Sequence, residues 1–251
     1  MDTYVLGIDT WEGSLDIDEQ VLWDGGVRLV IPRLNSIAGG HHLDDLFTQQ
    51  WAQVERFARV PYFVYNPWAS WSANVEFLGD HLPPEVKRVM VDVEVTKTGY
   101  SPAAYAADFE HFKIAIKRSW NMTIYTGQWF TPMLAYWPTD VDYWWARYPY
   151  SMYPPTSQVV TWADIHAKVK ALAWAPSCAL GTCRLWQCSG DRYKPPGCQG
   201  RVVDINVWNG TESELAEWVG EDTPPIPVRW EDAITDWARG MGYTGPGPIG
   251  L

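Results

Sequence analysis

The sequence predicts an α/β domain in which about eight strands form a parallel barrel surrounded by helices. Three observations predict this fold class. Short apolar segments alternate with segments of helical periodicity along most of the 251 residues. Hydrophobic residues make up 47% and charged residues 20% of the chain, which is typical of soluble globular proteins. Acidic residues follow several apolar segments, as the functional groups of barrels follow the C-terminal ends of their strands.

The predicted strands are rich in β-branched and aromatic residues and are bounded by Gly, Pro, Asn or Asp. They lie at Tyr4–Asp9, Val27–Pro32, Pro61–Asn66, Arg88–Val95, Met122–Thr126, Tyr143–Ala146, Arg184–Gln187 and Val202–Asn206. Apolar residues at helical spacing predict helices between these strands. The helices cover about 43–58, Ala73–Leu78 and Ser101–Ser119. The last begins with Ser-Pro, a pair typical of a helix N-terminus.

The fourth predicted strand, Arg88–Val95, carries two acids on one face. Asp92 and Glu94 stand at i and i+2, so on a strand they point to the same side, about 6.5–7 Å apart. Such a pair suits general acid/base chemistry at a glycosidic bond. A strand with one solvated face is the structural alternative. Asp9 and Asp204, near the ends of the first and last strands, are expected at the same edge of the barrel, which favours a functional role for the acids.

Composition and short motifs exclude several function classes. The formal net charge of −11 argues against a nucleic acid partner, because a phosphate backbone requires a basic surface. There is no run of about 18 apolar residues, so we expect no membrane span. Met1 leads almost directly into the first predicted strand without a basic region or cleavage site, which predicts no signal peptide. The sequence has no G-x-S-x-G, P-loop or dinucleotide fingerprint, and we expect no cofactor.

The cysteines form one cluster in the last third of the chain, at Cys178, Cys183, Cys188 and Cys198. An even, clustered set predicts either two disulfides or one zinc ion held by all four thiolates. The spacing lacks the paired C-x2-C pattern of most structural zinc sites, which favours disulfides. The expected pairs are Cys188 with Cys198 and Cys178 with Cys183.

The composition changes beyond residue 220. Residues 223–227 read Thr-Pro-Pro-Ile-Pro, a stiff linker. Trp230, Ile234 and Trp237 then fall on one face of a short amphipathic helix, followed by a Gly/Pro tail. The sequence therefore predicts a barrel over 1–220 and an extension over 221–251, which docks on the barrel or on a partner such as a virion component.

Several motifs in order resemble the glycoside hydrolase family 25 lysozymes, the Chalaropsis-type muramidases, many of which are bacteriophage endolysins. The resemblance runs from about residue 4 to about residue 220. The motifs are Gly7-Ile-Asp9 with Glu12-Gly13, Val91-Asp-Val-Glu94, Tyr125-Thr-Gly127, Trp186-Gln187, and Val203-Asp-Ile-Asn206 with Trp208-Asn-Gly210.

The resemblance implies an irregular TIM-like barrel that cleaves the β-1,4 bond between N-acetylmuramic acid and N-acetylglucosamine in peptidoglycan. It implies Glu94 as proton donor and Asp92 as the residue that assists the substrate 2-acetamido group. Asp9 and Asp204 are expected to line the same cleft. The residues expected to bind the glycan are Tyr62, Tyr125, Trp186 and Gln187. A phage lysin would be made in the host cytoplasm, then be released by a holin or carried in the virion, and act on the cell wall.

One departure from the family pattern leaves two alternatives open. The family carries Lys-x-Ser/Thr-Glu-Gly after its second strand, whereas residues 33–40 here contain no acid. The first alternative is a non-catalytic glycan-binding or virion structural module on the same barrel. The second is a chitinase-like glycosidase, which is disfavoured because its D-x-x-D-x-D-x-E pattern would need Asp where Lys87 and Met90 stand.

Overall fold

A computed structural model describes residues 4–14, 17–172, 178 and 180–220. Within them the strands are β1 (Val5–Thr10), β2 (Val27–Pro32), β3 (Asn35–Ser36), β4 (His42–Leu43), β5 (Ala58–Arg59), β6 (Tyr62–Val64), β7 (Arg88–Asp92), β8 (Asn121–Gly127), β9 (Asp142–Ala146), β10 (Gln158–Val159), β11 (Thr182–Lys194) and β12 (Val203–Trp208). The helices are α1 (Glu19–Asp24), α2 (Phe47–Gln53), α3 (Trp71–His81), α4 (Pro102–Ile116), α5 (Trp162–Ala171) and α6 (Glu212–Val219). Short 3-10 turns lie at Glu12–Ser14, Thr131–Met133 and Tyr150–Met152. The predicted α/β class is confirmed, while the extension predicted over 221–251 lies outside the described residues.

The main sheet is curled, with the strand order β5-β2-β1-β12-β11-β9-β8-β7-β6 and with β10 paired to β11. Its neighbouring strands are parallel except around β12, which is antiparallel to both β1 and β11. The prediction of a wholly parallel barrel is therefore wrong at β12. Only residues 195–202 connect β11 to β12, whereas a parallel crossover needs a dozen residues or more.

The curl brings the two ends of the sheet together. Just past β2, Arg33 makes an isolated parallel bridge with Tyr62, and the Leu34 N–H donates to the Tyr62 carbonyl at 2.7 Å. These contacts join the end of β2 to β6, so the sheet approaches the closure of an irregular TIM-like barrel. The C-terminal ends of the parallel strands consequently meet at one rim.

Alternate residues of each strand face the inside and the outside of the curl. The inner face carries a buried apolar cluster that includes Leu29, Ile31, Met90, Trp144 and Leu185. The outer face packs in two buried layers, one containing residues of α3 and α4 and the other containing residues of α1 and α5. The acids lie on the inner face towards the rim, whereas Arg88 donates to Thr123 Oγ1 at the opposite end of the same face.

Several element boundaries differ from the predicted ones. The helix expected over 43–58 is shortened to α2, because residues 42–43 pair with β3 as a small hairpin. Three helices, α1, α5 and α6, were not predicted from the sequence. The last two begin with reciprocal capping boxes, Thr161 with Asp164 and Thr211 with Glu214, which are sequence-level signals of a helix start.

Within the described part of the chain, no helix combines the length and the apolar character needed to cross a membrane.

All four cysteines are free thiols, so the two expected disulfides are absent. Burial of Cys188 and Cys198 in the outer apolar layer raises the pKa of both thiols, that of Cys198 to about 12, and so keeps them in the unreactive protonated form. The zinc alternative also fails, since no group of three or more His, Cys, Asp or Glu among the described residues could hold a metal ion. Cys183 and Cys188 are five residues apart on extended β11, roughly 16 Å along the strand, too far for one tetrahedral zinc.

We therefore expect alkylation of the air-purified protein in denaturant, without reductant, to modify all four cysteines. In the native protein Cys188 and Cys198 should resist the same reagent, because their thiols are buried and protonated. Intact-mass spectrometry counts the added groups. Two or four unmodified cysteines in denaturant would show one or two disulfides and contradict the structure.

Candidate active site

Four acids meet on the inner face of the barrel at its rim. Asp9 on β1 stands directly opposite Asp204 on β12 in the antiparallel ladder. Asp92 is the last residue of β7, and Glu94 follows it in the next loop. Asp9 and Asp92 are each 8% exposed, whereas Glu94 and Asp204 are half-buried. The structure thus brings together all four acids that the sequence singled out.

Two adjoining depressions open at this rim. The large cleft has a volume of about 990 Å³, and the small recess one of about 170 Å³. The large cleft is lined by Arg33, residues 36–41, Tyr62, Val64, Asn66, Trp68, Ala69, Asp92, Glu94 and Val95. The small recess is lined by Asp9, Trp11, Ser14, Arg33, Tyr62, Asp191, Val202, Val203 and Asp204. Arg33 and Tyr62 belong to both, so the two depressions adjoin at these side chains, and together they are called the groove.

Asp9 and Asp204 are held from below by amide groups. Gln187 Nε2 donates to Asp9 Oδ1 at 3.1 Å and to Asp204 Oδ2 at 3.0 Å. Asn206 Nδ2 donates to Asp9 Oδ1 at 2.7 Å. The backbone N–H of Asp191 donates to Asp204 Oδ1 at 2.6 Å. Each carboxylate therefore has a fixed orientation before any ligand binds.

The loop that carries Glu94 is fixed by side-chain hydroxyls. β7 ends at Asp92, so the prediction that the strand continues to Val95 is wrong. The carbonyl of Val93 accepts a hydrogen bond from Thr126 Oγ1 at 2.9 Å, and that of Val95 accepts one from the Tyr105 hydroxyl at 2.7 Å. These bonds replace the missing strand ladder on both sides of Glu94. Its backbone is thereby held although it lies in a loop.

Burial raises the pKa of all four carboxyls. It raises the pKa of Asp9 to about 6, against the opposing effect of the hydrogen bonds from Asn206 and Gln187. It also raises the pKa of Asp92, and repulsion from Glu94 and Asp9 adds to the rise. The pKa of Glu94 is raised by burial and then by the charge of Asp9. The protonated form of each carboxyl is therefore favoured relative to a carboxyl in water, and a general acid must carry its proton to act.

Two further features separate Asp92 from Glu94. Asp92 Oδ1 is buried and has no hydrogen-bond partner, which is costly for a carboxylate and leaves an acceptor available to a ligand. Glu94 is the more accessible of the two acids and lines the same cleft. One acid is thus placed to accept a hydrogen bond and the other to exchange a proton.

Arg33 is the single Arg or Lys among the described residues that line the groove. Its Nε donates to Asp44 Oδ2 at 2.8 Å, and its Nη2 lies 2.9 Å from Glu12 Oε1. Asp44 is fully buried and also accepts the backbone N–H groups of Glu12 and Leu46. Arg33 lies where the family pattern is broken, and its positive charge opposes the rise in the pKa of Asp92.

The residues expected to bind glycan have different positions. Tyr62 lines both depressions, as predicted. Tyr125 and Gln187 lie beneath the rim, only 7% and 2% exposed, and the Tyr125 hydroxyl donates to Gln187 Oε1. Trp186 points to the opposite side of β11, into the outer apolar layer, where Nε1 donates to the Arg147 carbonyl. The predicted role of Trp186 as a sugar platform is therefore wrong, because both faces of its ring are covered in the core.

Three exposed tryptophans at the rim were missed by the sequence analysis. Trp11, Trp68 and Trp129 are 41%, 58% and 51% exposed. Trp11 lines the small recess, Trp68 the large cleft, and Trp129 packs 6.2 Å from Tyr148. They follow the C-terminal ends of β1, β6 and β8, and this position in the sequence could have identified them as rim residues. Exposed indole rings at a rim offer flat faces for sugar rings.

Asp191 is a further rim residue that the sequence did not indicate. It lies in an irregular part of β11, between Ser189 and Tyr193, where the register with β12 shifts. Its φ of +50° is rare for a residue other than glycine. This conformation places its backbone N–H on Asp204, and the residue lines the small recess.

No family model and no curated protein sequence matches the chain. Solved structures do. A family 25 glycosyl hydrolase from Bacillus anthracis is similar with a TM-score of 0.65 and 16% identity, over 86% of this chain and 94% of that one. A bacterial lysozyme from Streptomyces coelicolor is similar with a TM-score of 0.64 and 18% identity, over 89% and 100%.

The catalytic domain of an endolysin from a Listeria monocytogenes bacteriophage is similar with a TM-score of 0.58 and 15% identity, over 87% of this chain and 98% of that one. These likenesses extend over the whole barrel and leave out little of either chain. The chain therefore has the fold of the family 25 glycosyl hydrolases, as the motifs in its sequence implied.

Proposed function

We propose that this protein is a peptidoglycan muramidase that cleaves the β-1,4 bond between N-acetylmuramic acid and N-acetylglucosamine. The observation that carries the proposal is the placement of Asp92 and Glu94 in an open cleft beside Asp9 and Asp204. The similar structures named a lysozyme and an endolysin support this substrate class. The endolysin also supports a phage lysin as the biological setting.

In this proposal Glu94 is the general acid. Burial and the charge of Asp9 raise its pKa, which favours the protonated form that a general acid needs, and its accessibility lets it donate the proton to the glycosidic oxygen. Asp92 accepts the N–H of the 2-acetamido group on its unpartnered Oδ1. The acetamido oxygen then bonds to C1 as the bond to the leaving sugar breaks. Water, deprotonated by the Glu94 carboxylate, opens this intermediate and restores the acid.

The groove supplies the binding surface. Trp68 offers an exposed ring in the large cleft and Trp11 one in the small recess, while Tyr62 lies between them. The net charge of −11 opposes approach to an anionic cell wall, so affinity must come from such local contacts. Stacking of indole rings on sugar faces is a contact that does not depend on charge.

A non-catalytic glycan-binding module is the second candidate. The observation that favours it is Arg33, which lies in the groove beside an acid-free loop and opposes the rise in the pKa of Asp92. The deciding experiment is reducing-sugar release from purified peptidoglycan of several Gram-positive species. Release supports the muramidase, whereas retention on the wall without release supports the binding module.

Glu94→Gln should lower turnover at least about a hundredfold, because the amide has the same shape but cannot donate the proton. Reducing-sugar release measures turnover, and sedimentation with insoluble peptidoglycan should show that binding is kept. Glu110→Gln on α4, outside both depressions, is the matched control and should behave as wild type. Wild-type turnover by the Glu94 variant would remove this residue from the proposed role.

Asp92→Asn should lower turnover and at the same time stabilise the fold near neutral pH. The folded-state pKa of Asp92 is raised, so ionisation costs folding free energy as pH rises from the unfolded towards the folded pKa, and an amide avoids this cost. We expect Tm to rise by about 3 °C at neutral pH, with the gain vanishing in acid where Asp92 is protonated. Calorimetry across pH checks this, and a lower Tm at neutral pH would contradict it.

Trp68→Ala should raise KM about fivefold with little change in kcat, because one stacking contact of about 1 kcal/mol is lost away from the reacting bond. Tyr150→Ala is the control, since Tyr150 is 91% exposed and lines neither depression. Kinetics on soluble glycan chains measure both constants. An unchanged KM would place the glycan elsewhere.

A further inference from the structure

We propose that Gln187 is a positioning residue, which fixes Asp9 and Asp204 beneath the groove and, through the charge on Asp9, controls the proton on Glu94. The proposal rests on the muramidase function and adds a role for a residue that lines neither depression. Gln187 is 2% exposed. It therefore cannot act by binding the glycan, as the sequence had suggested.

The carboxamide of Gln187 has no hydrogen-bonding capacity left for a ligand. An amide group offers two N–H donors and two acceptor positions. Both donors are used, one on Asp9 and one on Asp204. Both acceptor positions are used by the hydroxyls of Tyr125 and Tyr148, at 2.8 and 2.6 Å. Rotating the amide by 180° would place its oxygen against two carboxylates, which are also acceptors and cannot bond to it. The orientation of the amide is therefore determined.

A second amide strengthens the same orientation. Asn206 Oδ1 accepts a hydrogen bond from the indole Nε1 of Trp144 at 2.8 Å. An indole N–H can only donate, so Asn206 must turn its own N–H groups the other way, onto Asp9. Asp9 Oδ1 consequently receives two N–H groups from two amides whose directions are both set by aromatic donors in the barrel interior.

These donors act on the charge of Asp9. Burial favours the neutral carboxyl, while N–H donors favour the carboxylate, and the balance leaves the pKa of Asp9 at about 6. An ionised Asp9 repels the negative form of Glu94 and so helps Glu94 to keep its proton. Without the Gln187 donor, Asp9 would keep its proton up to a higher pH. The repulsion on Glu94 would then be lost, and Glu94 would release its proton at a lower pH.

The test compares Gln187→Met, which removes all four hydrogen bonds at similar side-chain length, with Gln187→Glu. The control is Gln158→Met on β10, an exposed residue outside the groove. For Gln187→Met we expect kcat at neutral pH to fall about tenfold, because the hydrogen bonds from residue 187 to Asp9 and Asp204 are lost. KM should be unchanged, since Gln187 does not line the groove. The basic limb of the activity profile should move to lower pH by about one unit.

Gln187→Glu should be rescued in acid. A protonated Glu still accepts from both tyrosines and donates one hydrogen bond to the acids, whereas an ionised Glu repels them. Activity of this variant should approach wild type at low pH and be lost as pH rises, whereas Gln187→Met, which cannot re-form the hydrogen bonds in acid, should regain activity there only in part. A raised KM with kcat kept would make Gln187 a binding residue. Wild-type profiles in both variants would also overturn the proposal.

A measurement that does not need turnover separates this proposal from the muramidase assignment. Side-chain carboxyl chemical shifts of Asp9 can be followed by NMR across pH in wild type and Gln187→Met. We expect the midpoint of Asp9 to rise by about one pH unit in the variant. An unchanged midpoint would overturn the role of Gln187 whether or not the protein cleaves peptidoglycan. A wild type without glycosidase activity would overturn only the function assigned to the site.

Discussion

Two side-chain amides allow this barrel to carry acids on its inner face. Asp9 lies where the low dielectric of a protein interior disfavours charge, and the N–H groups of Gln187 and Asn206 replace the water it has lost. Those amides are oriented in turn by a tyrosine hydroxyl and an indole N–H, each from a strand two places away in the sheet. The network stabilises an ionisable rim alongside the buried apolar cluster of the inner face, and the geometry of the groove depends on it.

The antiparallel β12 is the element that makes this network possible. A parallel strand at the same place would present its first residues at the opposite end of the barrel from the rim. Because β12 runs the other way, Asp204 and Asn206 near its start reach the level of Asp9 near the end of β1. The part of β11 that precedes the short connection to β12 is irregular. It places the backbone N–H of Asp191 on Asp204.

Much of the fold followed from local patterns, whereas contacts distant in sequence did not. The apolar segments and the Ser-Pro start of α4 predicted strands and a helix close to their observed limits. The acids at 9, 92, 94 and 204 could be assigned to one rim because parallel strands end together. Trp186 was assigned wrongly, since a motif does not show which way a residue on a strand faces. The ion pair between Arg33 and Asp44 was missed because it depends on the small hairpin of β3 and β4, whose pairing was not predicted.

The hydrogen bond between Asn206 and Asp9 joins residues 197 positions apart in the chain. The site is consequently assembled from the first and the last strands of the barrel, and a chain that ends before β12 has neither Asp204 nor Asn206. During synthesis, β1 leaves the ribosome long before β12. The nascent chain therefore carries Asp9 before the strand that supplies Asp204 and Asn206 has been made. Loop closure over such a distance also makes this pairing a late event in folding. A chain that ends before β12 therefore lacks part of the groove and part of the hydrogen-bond network that orients Asp9.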